Sequence, residues 1–438
     1  MTVKTMECIY CKGSGPFNKE HVFPKGMGGD DLDFLLINVV CESCNSKFSK
    51  LEASFMRSSP LALSRLINQT ASRGNHKSPQ FNTTTNFVHD PESNSLLEAT
   101  YETGLKAILL PQLILKESHL SFHATNAKEL IKFIDKLKSL LEPSTVEVAR
   151  KKPGPKPNQF IIETYTWTDE SYINTSSRLQ STQPKNVIWL EIYEEKQTQP
   201  ERTPFETRIY HRKQGEIALK SIKETNTSKN LKDARLYMHD GLKIETATIR
   251  DIEKPLTHVE FTSNISEGDR AFAKIGINFL AHIMGEDYVR DPSFDSIKKS
   301  ILTGTPTLPI TMLVKNTSRA SDEMLGEAID GHHTLMLCPA PLENGKTAIS
   351  FVAKLYGTHF GIRLSSGVNS NKLKEPIFLE VDYNNHKIKS YNLLKYIEQS
   401  DAHKKTRAHY FAQKYPIKLS DDFFSKLASH RIHIHEKF

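Results

Sequence analysis

The stretch that decides the fold of the N-terminal region is residues 8–52, CIYCKGSGPFNKEHVFPKGMGGDDLDFLLINVVCESCNSKFSKLE. It holds four of the five cysteines, arranged as two C-x-x-C pairs. Each pair can form a tight turn that directs two thiolates at one centre, and two such turns make a closed tetrahedral site. A closed site leaves no position for water, so it predicts a structural zinc ion. Its ligands would be Cys8, Cys11, Cys41 and Cys44.

The cysteines admit two other interpretations. A disulfide framework is disfavoured, because the N-terminus MTVKTMECIY lacks the apolar segment of a secretory signal. Two C-x-x-C pairs in an intracellular chain indicate a metal site instead. A zinc ribbon that only binds DNA or protein would use the same four ligands, so the residues between the pairs must decide.

The segment between the pairs carries a series of polar and turn residues in a fixed order. Glu20 and His21 are followed by Pro24, then by the Gly28-Gly29 pair. Two asparagines flank the second cysteine pair, Asn38 before it and Asn45 after it. This order resembles the HNH endonuclease family, in the form whose ββα-metal fold is braced by a four-cysteine zinc site. The resemblance covers about residues 6–57 and favours a nuclease over an inert ribbon.

The resemblance implies a role for each of these residues. Hydrolysis of a phosphodiester needs an activated water and stabilisation of the developing negative charge. His21 is the candidate base, because histidine titrates near neutral pH. Glu20 would point to the opposite face of the strand and bind a metal, with Asn45 as a second oxygen ligand. Oxygen ligands suit Mg²⁺ or Mn²⁺. In the family, the residue at the position of Asn38 orients the histidine loop.

The chain departs from the family pattern at two of these positions. Many members carry Asp before the histidine, where this chain has Glu20, and many carry His at the helical position of Asn45. The longer side chain of Glu20 can still bind a metal and bears on metal preference and rate. Glu52 is a further candidate ligand, although a solvated position on the helix is the favoured interpretation.

Composition fits an ordinary globular protein of two or three domains, with 438 residues, 38% hydrophobic and 25% charged. No apolar run approaches the roughly 18 residues that span a bilayer, so we expect a cytoplasmic protein without a membrane helix. The net charge of +7 is compatible with a polyanionic partner. Lys47, Lys50 and Arg57 follow the second cysteine pair and are candidate contacts to DNA phosphates, or else a solvated helix face.

The predicted fold class is α+β, with a small zinc-braced ββα-metal module joined to a large, mixed, β-rich region. We predict the module at 1–57, with a strand at about 35–40 and a helix at about 42–56, a helical connector at 58–80 and the large region at 81–438. The polar stretch at 74–80 is the expected boundary, and helices at about 391–399, 401–413 and 419–429 would close the chain. The segment ARKKPGPKP at 149–157 would divide that region into 81–150 and 158–438. A helix capped by Asn126 is predicted within it, and another from the capping box at Ser266 to Gly285. The second should be buried and packed on a sheet.

Together these features predict a metal-dependent endonuclease that hydrolyses DNA, with structural zinc and catalytic Mg²⁺ or Mn²⁺. Defence against foreign DNA is a role suggested only by the layout of the chain. Two alternatives stay open. One is an effector nuclease whose large region senses a ligand or a partner protein, and the other is a zinc-stabilised DNA-binding protein without catalysis. A homodimer would allow two single sites to cut both strands. The sequence also leaves open whether the substrate is DNA or RNA.

Overall fold

The computed structural model describes residues 6–69, 85–102, 106–116, 120–153, 159–193, 205–212, 215–240, 252, 256–260, 263–308, 311–313, 325–369 and 372–403. The chain forms two compact units. One joins Met1–Asn82 to Phe261–Phe438, and the other is Thr83–Glu260. No helix in these described ranges has both the length and the apolar character needed to cross a membrane.

The strands and helices are numbered along the chain, and their bounds are as follows. The strands are β1 Phe17–His21, β2 Leu35–Cys41, β3 Thr85–Asp90, β4 Ser95–Glu102, β5 Lys106–Leu109, β6 Gln112–Leu115, β7 Leu120–His123, β8 Thr145–Lys151, β9 Phe160–Thr168, β10 Ser171–Gln180, β11 Ile188–Ile192, β12 Thr207–His211, β13 Ile217–Ser221, β14 Leu256–Glu260, β15 Thr311–Leu313, β16 His332–Pro341, β17 Thr347–Leu355, β18 Thr358–Val368, β19 Ile377–Asp382 and β20 Lys387–Asn392. The helices are α1 Glu42–Arg57, α2 Pro60–Asn68, α3 Ala127–Leu141, α4 Thr227–Asp240, α5 Ile265–Met284, α6 Glu286–Val289, α7 Asp295–Thr303 and α8 Leu393–Gln399.

The N-terminal module is a hairpin followed by a helix. Strands β1 and β2 pair antiparallel, with Glu20 opposite Leu36 and His21 opposite Leu35. Helix α1 follows β2 directly and buries Phe48, Leu51 and Phe55 along one side. The predicted strand at 35–40 and helix at 42–56 are therefore confirmed. Helix α2 begins at Pro60, where the missing amide hydrogen of proline costs no helical hydrogen bond.

The rest of the first unit is built around α5 and a six-stranded antiparallel sheet, in the order β15-β18-β17-β16-β19-β20. Helix α5 shares one hydrophobic core with α1 and with the sheet. Gly276 of α5 lies against the ring of Phe351 on β17, where a Cβ atom would clash. The prediction of a buried helix packed on a sheet is confirmed. Its cap is Asn264, whose side chain accepts from the Glu267 amide, rather than the predicted Ser266.

The second unit contains two sheets. Eight strands lie in the order β10-β9-β8-β11-β13-β12-β6-β7, and four in the order β14-β3-β4-β5. Helices α3 and α4 pack on the larger sheet and bury Phe133, Leu137 and Leu231 against it. Asn126 caps α3 as predicted, since its side chain accepts a hydrogen bond from the Glu129 amide.

The observed division of the chain differs from the predicted division of 81–438. Strands β8 and β9 are antiparallel neighbours, so the proline-rich segment at 152–158 joins two strands of one sheet and is not a boundary. Residues from 261 onwards belong with the N-terminal module, because α5 packs on α1 in a shared core. The predicted boundary at Gly74–Gln80 lies outside the described residues, as do the helices predicted beyond 403.

Candidate functional site

The four cysteines of the two C-x-x-C pairs meet at one point. Cys8 and Cys11 lie on the turn before β1, Cys41 ends β2, and Cys44 lies on the first turn of α1. Their four Sγ atoms all lie within 4.8 Å of one another. The first turn closes through the hydrogen bonds Lys12 N to Cys8 O, at 3.0 Å, and Cys8 N to Gly13 O, at 2.8 Å. Hairpin pairing then carries the second pair to the first.

The chemistry of this cluster fits a zinc ion. A tetrahedral site with Zn–S bonds of about 2.3 Å has sulfur–sulfur separations of about 3.8 Å. Cys11 Sγ and Cys41 Sγ lie 3.5 Å apart. A hydrogen bond from Cys44 lowers the pKa of the Cys8 thiol to about 4, and the same contact raises the pKa of Cys44. Several thiolates this close need a cation, and four ligands leave no open position.

No other cluster of this kind occurs in the part of the chain that the structure describes. The four cysteines are the only set of three or more His, Cys, Asp or Glu side chains there whose ligand atoms come this close together. Three of the four are buried, and Cys11 is exposed. The arrangement therefore indicates a structural metal centre that joins the loop before β1 to the start of α1.

His21 ends β1 at the surface and pairs with a carboxylate. Its Nε2 atom lies 2.7 Å from Asp31 Oδ1, and about a quarter of the side chain is exposed. Asp31 also accepts a hydrogen bond from Lys25. The contacts from Lys25 and from His21 lower the pKa of Asp31 to about 2. Asp31 is therefore ionised at neutral pH and holds the imidazole in one orientation.

The glycine pair makes the tight turn that brings Asp31 back to His21. The segment after Pro24 forms a short 3-10 helix that ends at Gly28, whose φ of 105° is left-handed. The Gly29 amide then donates to Pro24 O at 3.1 Å. A Cβ atom at Gly29 would collide with the Phe23 carbonyl, so only glycine fits. The Gly-Gly pair is thus explained by backbone geometry.

Glu20 points into the protein rather than towards an open metal position. Only 4% of the residue is exposed, and its carboxylate forms an ion pair with Lys274 of α5. Asn278, one turn further along α5, donates to Glu20 Oε1 at 3.2 Å. Lys274 also pairs with Glu52 Oε1 at 2.6 Å, so Glu52 is an ion-pair partner rather than a solvated helix residue. The negative charge of the carboxylate that was predicted to bind a divalent ion is thus already balanced by the Lys274 ammonium.

The two asparagines have structural partners or backbone roles. Asn45, on α1, donates its amide to Asn18 Oδ1 at 2.8 Å and to the Lys19 carbonyl at 3.0 Å. It therefore ties the helix to β1. Asn38 lies exposed in β2 with a φ of 60°, a conformation that asparagine tolerates better than most residues. Within the described residues, its side chain makes no hydrogen bond to the loop after His21.

The residues predicted for a catalytic divalent ion therefore do not form a ready site for it. Glu20 is engaged by an ammonium, and Asn45 is oriented by its own donated hydrogen bonds. The candidate phosphate contacts Lys47, Lys50 and Arg57 are exposed along α1. Their exposure leaves them accessible to a ligand without assigning one.

Sequence reasoning missed three residues of this site. Asp31 was passed over although it lies two positions after Gly29, just past the tight turn that follows Pro24. Lys274 and Asn278 lie four residues apart in the otherwise apolar stretch AFAKIGINFLA. Two polar residues on the buried side of such a helix indicate a buried polar partner. The partner itself could not be named from sequence.

Comparison with known proteins bears on the N-terminal module alone. No curated protein and no solved structure matches the chain. One family model does match, at residues 8–59, and its description is HNH endonuclease. This range contains the four cysteines together with His21 and Asp31. The N-terminal module is therefore an HNH endonuclease domain, and the match assigns nothing to the residues beyond 59.

Proposed function

We propose that the protein is an endonuclease that hydrolyses DNA phosphodiester bonds, with His21 as the general base. The observation that carries the proposal is the His21–Asp31 pair at the surface of an HNH domain. The carboxylate fixes the ring and stabilises the imidazolium that forms when His21 accepts a proton from the attacking water. We assign no step to a catalytic divalent ion, because Glu20 is bound to Lys274.

A groove beside this pair supports a polyanionic substrate. A cavity of about 550 Å³ lies between the turn that carries Asp31 and the start of β20. Its lining includes Lys387 and Lys389, and also Lys25, which is already paired with Asp31. Lys387 and Lys389 are exposed on an edge strand and have no ion-pair partner among the described residues. Cations placed there would neutralise backbone phosphates next to His21. The aspartates of the turn line the opposite wall.

The experiment that tests the proposal is cleavage of supercoiled plasmid by the full chain, with Mg²⁺, Mn²⁺ or EDTA in separate arms. We expect nicked or linear product from the wild type and none from His21→Ala. His89→Ala is the matched control, because His89 is also hydrogen-bonded to a neighbouring side chain, Asn94, but lies in the other unit. Single-stranded RNA of similar length serves as the competing substrate.

Each outcome of the plasmid assay decides something. A wild type that cuts only RNA would replace the substrate class. A wild type that binds the plasmid but cuts under no condition would refute the nuclease proposal in favour of a zinc-stabilised binding protein. Activity in EDTA would show that the hydrolysis proceeds without an exchangeable divalent ion.

Asp31 supplies a second prediction for the same assay. Asp31→Asn should lower the rate constant of cleavage by roughly 10-fold to 100-fold, less than for a buried triad aspartate, because Asp31 is half exposed. Its pKa of about 2 keeps the wild-type carboxylate ionised above pH 4. Any stability gained from this depressed pKa is present above about pH 4 and is lost as the pH falls towards 2.

The control for Asp31 is Asp33→Asn, which removes a neighbouring charge of the same exposed turn without touching His21. Single-turnover rates at pH 7 check the prediction. Equal losses in the two variants would mean that turn charge, and not the orientation of His21, is the property that matters.

A further inference from the structure

Residues on the buried face of α5 contact the candidate active site, although they lie more than 250 positions further along the chain. Lys274 and Asn278 are both fully buried and lie one turn apart on α5. Asn278 Nδ2 donates to the carbonyl oxygen of His21 at 3.0 Å, and Lys274 Nζ donates to the same oxygen at 3.4 Å. The amide of Asn278 is itself fixed, because its Oδ1 accepts from Tyr10 OH at 2.7 Å.

These contacts hold the peptide that carries the imidazole. The His21 carbonyl points inward to α5, while its ring points outward to Asp31. The next residue is held as well, since the Val22 amide donates to Phe34 O at 3.0 Å. A catalytic side chain needs its backbone fixed within about half an ångström to keep its geometry. Asn278 and Lys274 supply that support from the side opposite the substrate.

The charges around Lys274 explain why Glu20 has no free oxygen for a metal. One ammonium lies between the carboxylates of Glu20 and Glu52, with only 1% of its side chain exposed. Burial alone would lower the pKa of Lys274, but the two carboxylates raise it, so the ammonium stays charged. A divalent ion at Glu20 would have to share this space with a buried cation, which like-charge repulsion opposes.

Helix α5 is built into the core and does not behave as a detachable cover. Phe272, Ile275 and Phe279 are each at most 1% exposed, and the rings of Phe272 and Phe351 lie 4.7 Å apart. Releasing Lys274 from Glu20 by moving the helix would expose this packing. The ammonium is therefore a permanent part of the site.

We propose that Lys274 takes the place of a divalent ion at Glu20, and that Lys274 and Asn278 of α5 are positioning residues for His21. In this assignment Glu20 is the counter-ion of Lys274 and not a metal ligand. The inference rests on the proposed function for its activity arm only. Its other two arms, metal binding and thermal unfolding, do not need the protein to cut DNA.

The test is a four-member set of the wild type, Glu20→Gln, Lys274→Met and the double variant. Lys274→Met leaves the paired carboxylates of Glu20 and Glu52 without a cation, so it should gain a Mn²⁺ site. We expect Mn²⁺ to bind this variant at least 10-fold more tightly than the wild type, measured by electron paramagnetic resonance titration. Glu20→Gln should leave the Mn²⁺ affinity of the wild type unchanged.

The same four proteins are also compared by thermal unfolding and by DNA cleavage. The double variant should unfold at a higher temperature than Lys274→Met alone, because it no longer buries an unpaired carboxylate at residue 20. Lys274→Met and the double variant should both cleave DNA at least 10-fold more slowly than the wild type, with the KM for DNA unchanged, because both lack the ammonium that supports the His21 peptide. Lys298→Met is the matched control, since Lys298 is also a buried helical lysine, on α7, and should not change Mn²⁺ affinity.

Contrary results are distinct from a failure of the proposed function. A Glu20→Gln variant that binds Mn²⁺ at least 10-fold more weakly than the wild type would overturn the inference and restore Glu20 as a ligand. So would a Lys274→Met variant or a double variant that cleaves DNA at the wild-type rate. If the wild type cuts no DNA, the proposed function fails, and the Mn²⁺ and unfolding arms still decide the role of Lys274.

Discussion

Replacing His21 by alanine should lower the rate constant of DNA cleavage by about 10²-fold to 10⁴-fold, the usual contribution of a positioned general base. The reason is geometric as well as chemical. His21 is partly exposed and has a carboxylate partner, Asp31, at 2.7 Å. Without the imidazole, the attacking water has no proton acceptor that is held in place. Single-turnover cleavage of a labelled duplex measures the loss directly.

The ring of His21 contributes little to packing, so the fold should survive its removal. We expect the His21→Ala variant to unfold within a few degrees of the wild type and to bind DNA with similar affinity. His89→Ala should retain the full rate. If His21→Ala retained the wild-type rate, the base would have to be sought elsewhere in the groove. If it lost DNA affinity instead, His21 would be a binding residue.

Losing the metal centre should have the largest effect on stability. Cys41→Ser removes one of four ligands and should reduce bound zinc from about one ion per chain to well below half. Structural zinc contributes about 10–16 kcal/mol to the folding of isolated zinc-finger peptides. The module here also packs on α5, so we expect a smaller effect, a drop in the unfolding temperature of at least about 10 °C.

The fifth cysteine provides the control for the metal centre. Cys338 lies in β16, away from the cluster, and burial raises the pKa of its thiol to about 11. Cys338→Ser should keep its zinc and lose little stability. Zinc content by mass spectrometry and unfolding by circular dichroism check both variants. A wild type purified without zinc that nevertheless unfolds at the same temperature as the zinc-loaded protein would contradict the structural role of the centre.

Sequence reasoning performed best where the determinants are local. The spacing of the cysteines and the position of Glu42 behind Cys41 are contained in one short stretch, and β2 and α1 follow with bounds within one residue of those expected. Turn chemistry acts in the same way at Gly28 and Gly29, where backbone sterics allow few alternatives. The residues of such a motif determine its local backbone conformation without help from distant parts of the chain.

The same reasoning was weakest where the determinants are distant. The ligand role predicted for Glu20 assumed that a carboxylate beside the histidine faces an open site. Its actual neighbour is Lys274, which no spacing rule connects to residue 20. The division of the chain was missed for the same reason, because residues 261 onwards return to the core of residues 1–82 after an intervening unit. Pairing of this kind depends on the tertiary fold.

The long separation in sequence between His21 and α5 also means that the two are synthesised at different times. The peptide of His21 is completed by contacts to residues 253 and 257 positions later in the chain. At translation rates of about 5–20 residues per second, the hairpin waits roughly 10–50 s for its helix. A nascent chain therefore contains the two C-x-x-C pairs and His21 well before the residues of α5 that contact the His21 peptide have been made. In the proposed assignment, the support of the His21 peptide is complete only after Asn278 has been synthesised.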